Sequence, residues 1–166
     1  MGHFDGLNLP ASITGIAEMM PVEDLMLNIF RDKLPDLPIF SLIPFDLHDL
    51  DFFSIVRRVP MTGAWRGDER FIDTAYAAFH VFTRDPDADE KGAAISEAVR
   101  ITLREAVQEQ KSYPDLGYLK QARLITEPAR RTDWATSSGP VQFADLPQGY
   151  FRYESQYAVS IRRPPK

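Results

Sequence analysis

The stretch whose reading decides the fold is "GYFRYESQYAVSIRRP", residues 149–164. Its odd positions read Phe151, Tyr153, Ser155, Tyr157, Val159 and Ile161, and its even positions Arg152, Glu154, Gln156, Ala158, Ser160 and Arg162. Successive side chains point to opposite faces of a strand, so this is a strand with one dry face and one wet face. The wet face carries hydrogen-bonding groups but nothing resembling a catalytic set. A strand of this length needs a sheet beside it and a layer over its dry side.

Working outward, the prolines mark where that sheet and layer come from. The chain has 13 prolines in 166 residues. Proline removes a backbone donor, so it collects outside helices and central strands. Proline-free windows include 22–34, 45–59, 61–85, 87–113 and 148–163. "PVEDLMLNIFRDKLP" (21–35) reads as a helix. Pro21 suits the first turn, Glu23 and Asp24 complement the N-terminal dipole, and Arg31 and Lys33 the other end. Val22, Leu25, Met26 and Ile29 form its apolar face, and Pro35 stops it.

"IFSLI" (39–43), "FFSIVRRV" (52–59), "FIDTAYAAFHVFT" (71–83) and "GYLKQARLITEP" (117–128) read as strands. From Ala75 onward both faces of the 71–83 run are apolar, which predicts the middle of a sheet. "DPDADEKGAAISEAVRITLREAVQEQ" (85–110) is the main helix, with acidic residues crowding its start. Ile95, Val99, Leu103 and Ala106 make one apolar row, and Ala94, Ala98 and Ile101 a second beside it. So wide a dry stripe implies deep packing or a contact with another subunit. The order helix, strands, helix, strands predicts one α+β domain over 1–166, a mostly antiparallel sheet of four to five strands with two helices on one face. Residues 1–20 form an N-terminal arm and 129–148 a long loop holding Trp134, Phe143 and Leu146.

The totals narrow the function. Nineteen basic against 24 acidic residues give −5, a poor balance for binding a phosphate backbone. Without cysteine there is no disulfide framework, thiolate metal site or cysteine nucleophile. No secretory signal is present and no apolar run reaches the ~20 residues of a membrane span. The expectation is a soluble intracellular product without targeting and without membrane contact.

Asp46, His48, Asp49 and Asp51 could hold a divalent cation, but match no established site spacing and read as a solvated acidic link. His80 reads as a neutral core or interface histidine rather than a ligand. "TGAWRGDER" (62–70) is either a plain connection or an interface anchor through Trp65 and Arg66, residue types common at hot spots. Arg130, Arg131 and Trp134 form a second such group. No nucleophile elbow, paired-histidine motif or dinucleotide turn is found, so no catalytic, cofactor or metal residue is nominated.

The order of segments resembles the tail terminator proteins of long-tailed bacteriophages. Three features carry the resemblance: the helix running into "DKLPDLPIFSLIP"; "FFSIVRRVPMTG" followed by "DERFIDTAYAAFHVFTRDPDADEKGAAISEAVRITLREAV"; and the closing "YFRYESQYAVSIRRP". Together they cover most of residues 20–164, and the 129–148 segment departs from the pattern. The resemblance implies a non-enzymatic virion protein at the head-tail junction, assembled in the host cytoplasm. It would form a homo-hexameric ring on the major tail tube protein, end its polymerisation and meet a head-completion or neck protein. DNA would pass through the lumen without specific binding. Arg152, Glu154 and Arg162 on the wet face would suit a polar interface or a lumen. The alternatives are another neck or tail-completion protein, or a small-molecule-binding α+β enzyme domain using the His48 cluster.

Overall fold

The structure is a computed structural model of the chain and describes residues 8–14, 22–44, 46, 49–60, 71–131 and 150–164. The elements are α1 (Ala11–Thr14), α2 (Val22–Lys33), β1 (Ile39–Phe40), β2 (Phe52–Val59), β3 (Ile72–Arg84), α3 (Ala88–Glu109), β4 (Tyr118–Arg131) and β5 (Tyr150–Arg162). One five-stranded sheet runs in the order β1-β2-β3-β5-β4. Among the described residues, only the β1–β2 pairing is parallel. The fold is α+β with a mostly antiparallel sheet, as the segment order predicts.

The strands arrange themselves by how apolar they are. β3 is flanked by β2 and β5, and its residues 75–83 are buried apart from Tyr76. Ala75, Ala77 and Phe79 point to the helical layer, while Ala78, His80 and Phe82 point the other way. β5 is also an inner strand, paired with β3 along its whole length and with β4 on its other side. Among the described residues, β5 is therefore an inner strand and the sheet's edges are β1 and β4. β1 is shorter than the predicted 39–43. Ile39 and Phe40 pair with Ser54 and Ile55, and the chain then bends away, with Leu42 exposed. β4 has three register irregularities and carries Pro128, devices that keep a long edge from pairing indiscriminately.

α2 and α3 cover one face. α2 buries the four predicted residues and also Leu27 and Phe30, and Phe30 meets Phe79 with ring centroids 5.1 Å apart. α3 begins at Ala88, not at 85, because Asp87 takes a left-handed conformation (φ 60°) just before it. Its buried line is Ala88, Gly92, Ser96, Val99, Leu103 and Ala106, with Thr102 alongside. The predicted second apolar row is corrected: Ala94 is exposed and Ala98 and Ile101 are half-buried. The burial stripe follows the small residues Gly92 and Ser96, where the Tyr153 ring lies close over the helix backbone. Salt bridges Lys33–Glu109 (2.6 Å) and Lys111–Asp32 (2.7 Å) tie α2 to the end of α3 and the turn beyond it.

The face opposite α2 and α3, helix-free among the described residues that the contacts place, has its own smaller core. Phe53, Ile55, Phe82 and Tyr150 cluster there with Phe40, Ile43 and Leu50. Phe53 stacks on Phe82 at 4.8 Å, and the Tyr150 hydroxyl donates to the Leu50 carbonyl at 3.0 Å. Thus Phe40, Ile43 and Leu50 pack over one end of the sheet.

Candidate functional site: the helix-free face of the sheet

The register of the inner strands assembles a row of polar groups next to this small core. Ile55 of β2, His80 of β3, Glu154 of β5 and Ala129 of β4 are consecutive partners across the sheet. The adjacent row is Phe53, Phe82, Arg152 and Arg131. Residues i and i+2 share a face, so Arg152, Glu154 and Gln156 stand in line on β5.

Arg152 and Glu154 are 1% and 3% exposed. This corrects the reading of the even positions as wet. The alternation is real, but an inner strand has neighbours on both sides, and at Arg152 and Glu154 the surrounding side chains leave almost no solvent contact, whereas Gln156, Ala158, Ser160 and Arg162 further along are half-buried. The dry face needs a correction too: Tyr157, Val159 and Ile161 enter the main core, whereas Phe151 and Tyr153 are only half-buried.

The buried charges are held by specific bonds. Arg152 Nη1 donates to His80 Nδ1 at 3.2 Å and lies 3.4 Å from Glu154 Oε2. Arg131 Nε approaches the same Glu154 oxygen at 3.4 Å, and Gln156 Nε2 donates to Oε1 at 3.1 Å. One carboxylate thus serves three donors, a charge-assisted arrangement that offsets part of its desolvation. Burial pushes the His80 imidazole down to about 3, with the positive fields of Arg152, Arg57 and Arg131 acting in the same direction. His80 is therefore neutral near pH 7. Since guanidinium can only donate, Nδ1 is the acceptor and the ring proton sits on Nε2.

The other nominated residues do not join this group. Arg130 and Arg131 are adjacent in sequence but lie on opposite faces. Arg130 turns to the helical side, where its guanidinium stands 4.1 Å over the Phe151 ring and 3.5 Å from Asp89. Tyr153 donates to that Asp89 at 2.7 Å. Arg162 lies ten residues from Arg152, about 34 Å along an extended strand, with its guanidinium 5.1 Å over the Phe71 ring. Trp65, Arg66, Trp134 and His48 fall outside the described residues. Arg57 was not nominated, yet it reaches this face and feels Glu154. Its strand parity is the signal that could have found it.

Of the acidic link, Asp51 is paired with Arg84 at 3.1 Å. Among the described residues no group of three or more His, Asp or Glu is placed to hold a metal ion, and no helix is long and apolar enough to cross a membrane. Two open clefts lie on the helical side. One of about 390 Å³ is lined by Glu97, Arg100, Leu124, Glu127 and Tyr153. An apolar one of about 280 Å³ lies between the end of α2 and Ile95 and Ala98 of α3.

No protein-family model matches the chain, and no curated protein matches it.

Proposed function

We propose that the chain is a tail terminator of a long-tailed bacteriophage, a non-catalytic virion protein at the head-tail junction. It closes as a homo-hexameric ring on the end of the tail tube. There it stops addition of the major tail tube protein and presents a surface to a head-completion or neck protein, with DNA passing through the lumen unbound.

The observation that carries this reading is how the resembling stretches combine. The helix running into "DKLPDLPIFSLIP" is α2 and β1, the central stretch spans β2, β3 and α3, and the closing stretch is β5. All of them build one sheet and one helical layer rather than separate pieces.

The chemistry of the polar row supports a structural role. A general base needs a lone pair and a pKa near the working pH. His80 gives its Nδ1 lone pair to Arg152 and is pushed down to about 3. Glu154 is shared among Arg131, Arg152 and Gln156. Within the row the His80 Nδ1 lone pair and the Glu154 carboxylate are already engaged, which favours a row that fixes the sheet face over one that awaits a substrate. In the competing enzyme reading, Asp51 would have to leave Arg84 to serve a cation.

The test is deletion of the gene in the phage genome that carries it, with tails examined by electron microscopy. Over-long tails or tails unjoined to heads are expected, and the wild-type gene supplied in trans should restore them. Tails of normal length and joining from the deletion would overturn the reading.

A further inference from the structure

The net charge of −5 conceals a segregation that the fold creates. By strand register, the helix-free face carries Arg57, Arg84, Arg123, Arg131, Arg152 and Arg162. Against these six guanidiniums, the described residues there supply two carboxylates, Glu154 and Asp51. The face is therefore basic on an acidic protein, with Arg123 and Arg131 exposed, Arg57, Arg84 and Arg162 half-buried and Arg152 buried beneath them. Beyond the small aromatic core it is also open: Arg123 and Gln121 are exposed, and Thr74, Tyr76, Gln156, Ala158 and Ser160 are half-buried.

The complementary charge stands at one end of the same molecule. Asp51 meets the end of β3, just before α3 begins, because the Arg84 amide donates to the Asp51 carbonyl at 3.2 Å. Asp46, Asp49, Asp85, Asp87 and Glu90 all expose their carboxylates at this end. Among the described residues none of the five is in an ion pair; Asp51 and Asp89 are the two carboxylates already engaged, by Arg84 and Arg130. Arginine in particular favours planar recognition of carboxylates, and Arg123 and Arg131 are exposed on this face.

We infer that the helix-free face of one copy receives the acidic end of a second copy, the Asp49–Glu90 corner meeting Arg123 and Arg162 and their neighbours. The two patches differ and lie on different parts of the chain, so the contact is heterologous. A heterologous contact repeats around a ring when its rotation closes. This inference rests on the ring reading above and specifies the surfaces that would make the ring. Phosphate backbone is the other polyanion such a face could take, and the experiment discriminates against it.

Four forms of the full chain would be compared by sedimentation at concentrations up to about 1 mM, in low salt and at about 0.5 M salt. They are wild type, Arg123→Glu/Arg162→Glu, Asp49→Lys/Glu90→Lys, and the variant combining all four changes. Asp49, Glu90 and Arg123 are exposed and Arg162 is half-buried over Phe71, so unchanged melting temperatures check that each variant folds. Wild type should self-associate, with affinity falling at least tenfold at the higher salt. Each two-site reversal should weaken it by a similar factor. The fourfold variant should recover to within about threefold of wild type, because swapped charges attract as the originals do. A wild type that stays monomeric throughout, association indifferent to the reversals, or no recovery in the fourfold variant would overturn the inference. So would duplex DNA of about 20 base pairs binding wild type tightly but not Arg123→Glu/Arg162→Glu, which assigns the face to phosphates. Failure here together with aberrant tails from the gene deletion would leave the terminator reading standing, whereas normal deletion tails would remove that reading itself.

Discussion

Arg152 donates from Nη1 to Nδ1 of His80 across 3.2 Å, with both side chains almost wholly out of solvent. A guanidinium that can never accept a proton bond thereby dictates the tautomer of its neighbour. Protonating His80 would turn this contact into two cations face to face, so the pair couples the fold to pH.

That coupling has a definite sign. Folded His80 titrates at about 3, far below the ordinary value near 6.5. Above pH 6.5 it is neutral in both folded and unfolded chains and contributes nothing to the pH dependence. As pH falls below 6.5 the unfolded chain takes up a proton that the folded one refuses. Stability should then decline on the order of 1 kcal/mol per pH unit on this account, down toward pH 3. Urea unfolding at pH 7, 6 and 5 should show the decline in wild type and a flatter profile in His80→Gln, whose amide still accepts from Arg152. Parallel profiles for the two proteins would show that His80 is not the group responsible.

Glu154 compensates Arg152 inside the sheet face, at 3.4 Å. Glu154→Ala should cost about 3–5 kcal/mol, since it leaves a buried guanidinium without its anion. The double change Arg152→Met/Glu154→Met should cost less than Glu154→Ala alone. Denaturant titration of the three proteins checks this; a cost below about 1 kcal/mol for Glu154→Ala would mean that the carboxylate is not the counter-charge.

Val159 and Gln156 sit on opposite faces of β5. Val159 is fully buried in the main core, so Val159→Ala should cost on the order of 1–3 kcal/mol. Gln156 is half-buried and makes one hydrogen bond to Glu154, and Gln156→Ala should cost less than about 1 kcal/mol. Equal shifts in the denaturation midpoint would invert the assignment of faces.

Gly117 holds φ at +77° in the turn that leads into β4, and a Cβ there would run into the Arg162 carbonyl. Both the conformation and the neighbour are backbone, so neither yields cheaply. Gly117→Ala should cost about 1–3 kcal/mol or more, measured as a lowered melting temperature. Gly117→Asn, which tolerates the left-handed conformation but keeps the clash, should be nearly as damaging. A neutral Gly117→Ala would show that the β4 start can shift away from the end of β5.

The sequence by itself determined the elements and most of their partners' character. Proline-free windows and period-2 or period-3.6 patterns located α2, β2, β3 and β5 within a residue or two, because local sterics and hydrogen-bonding capacity act over a few residues. The two-sided apolar run from Ala75 specified an inner strand for the same reason: burial on both faces is written in composition. Only the tertiary structure decided which polar residues are dry. Arg152 and Glu154 look like an exposed row because alternation reports two faces but not what covers them. Their burial depends on His80 and Arg131, which come from strands 72 and 21 residues away. The split of Arg130 from Arg131 was equally hidden, since the strand reads as ending at 128 whereas β4 continues to Arg131, and adjacent strand residues face opposite ways. So was the basic face, because net charge is a sum over the chain, whereas an electric field depends on which strands the fold lays side by side.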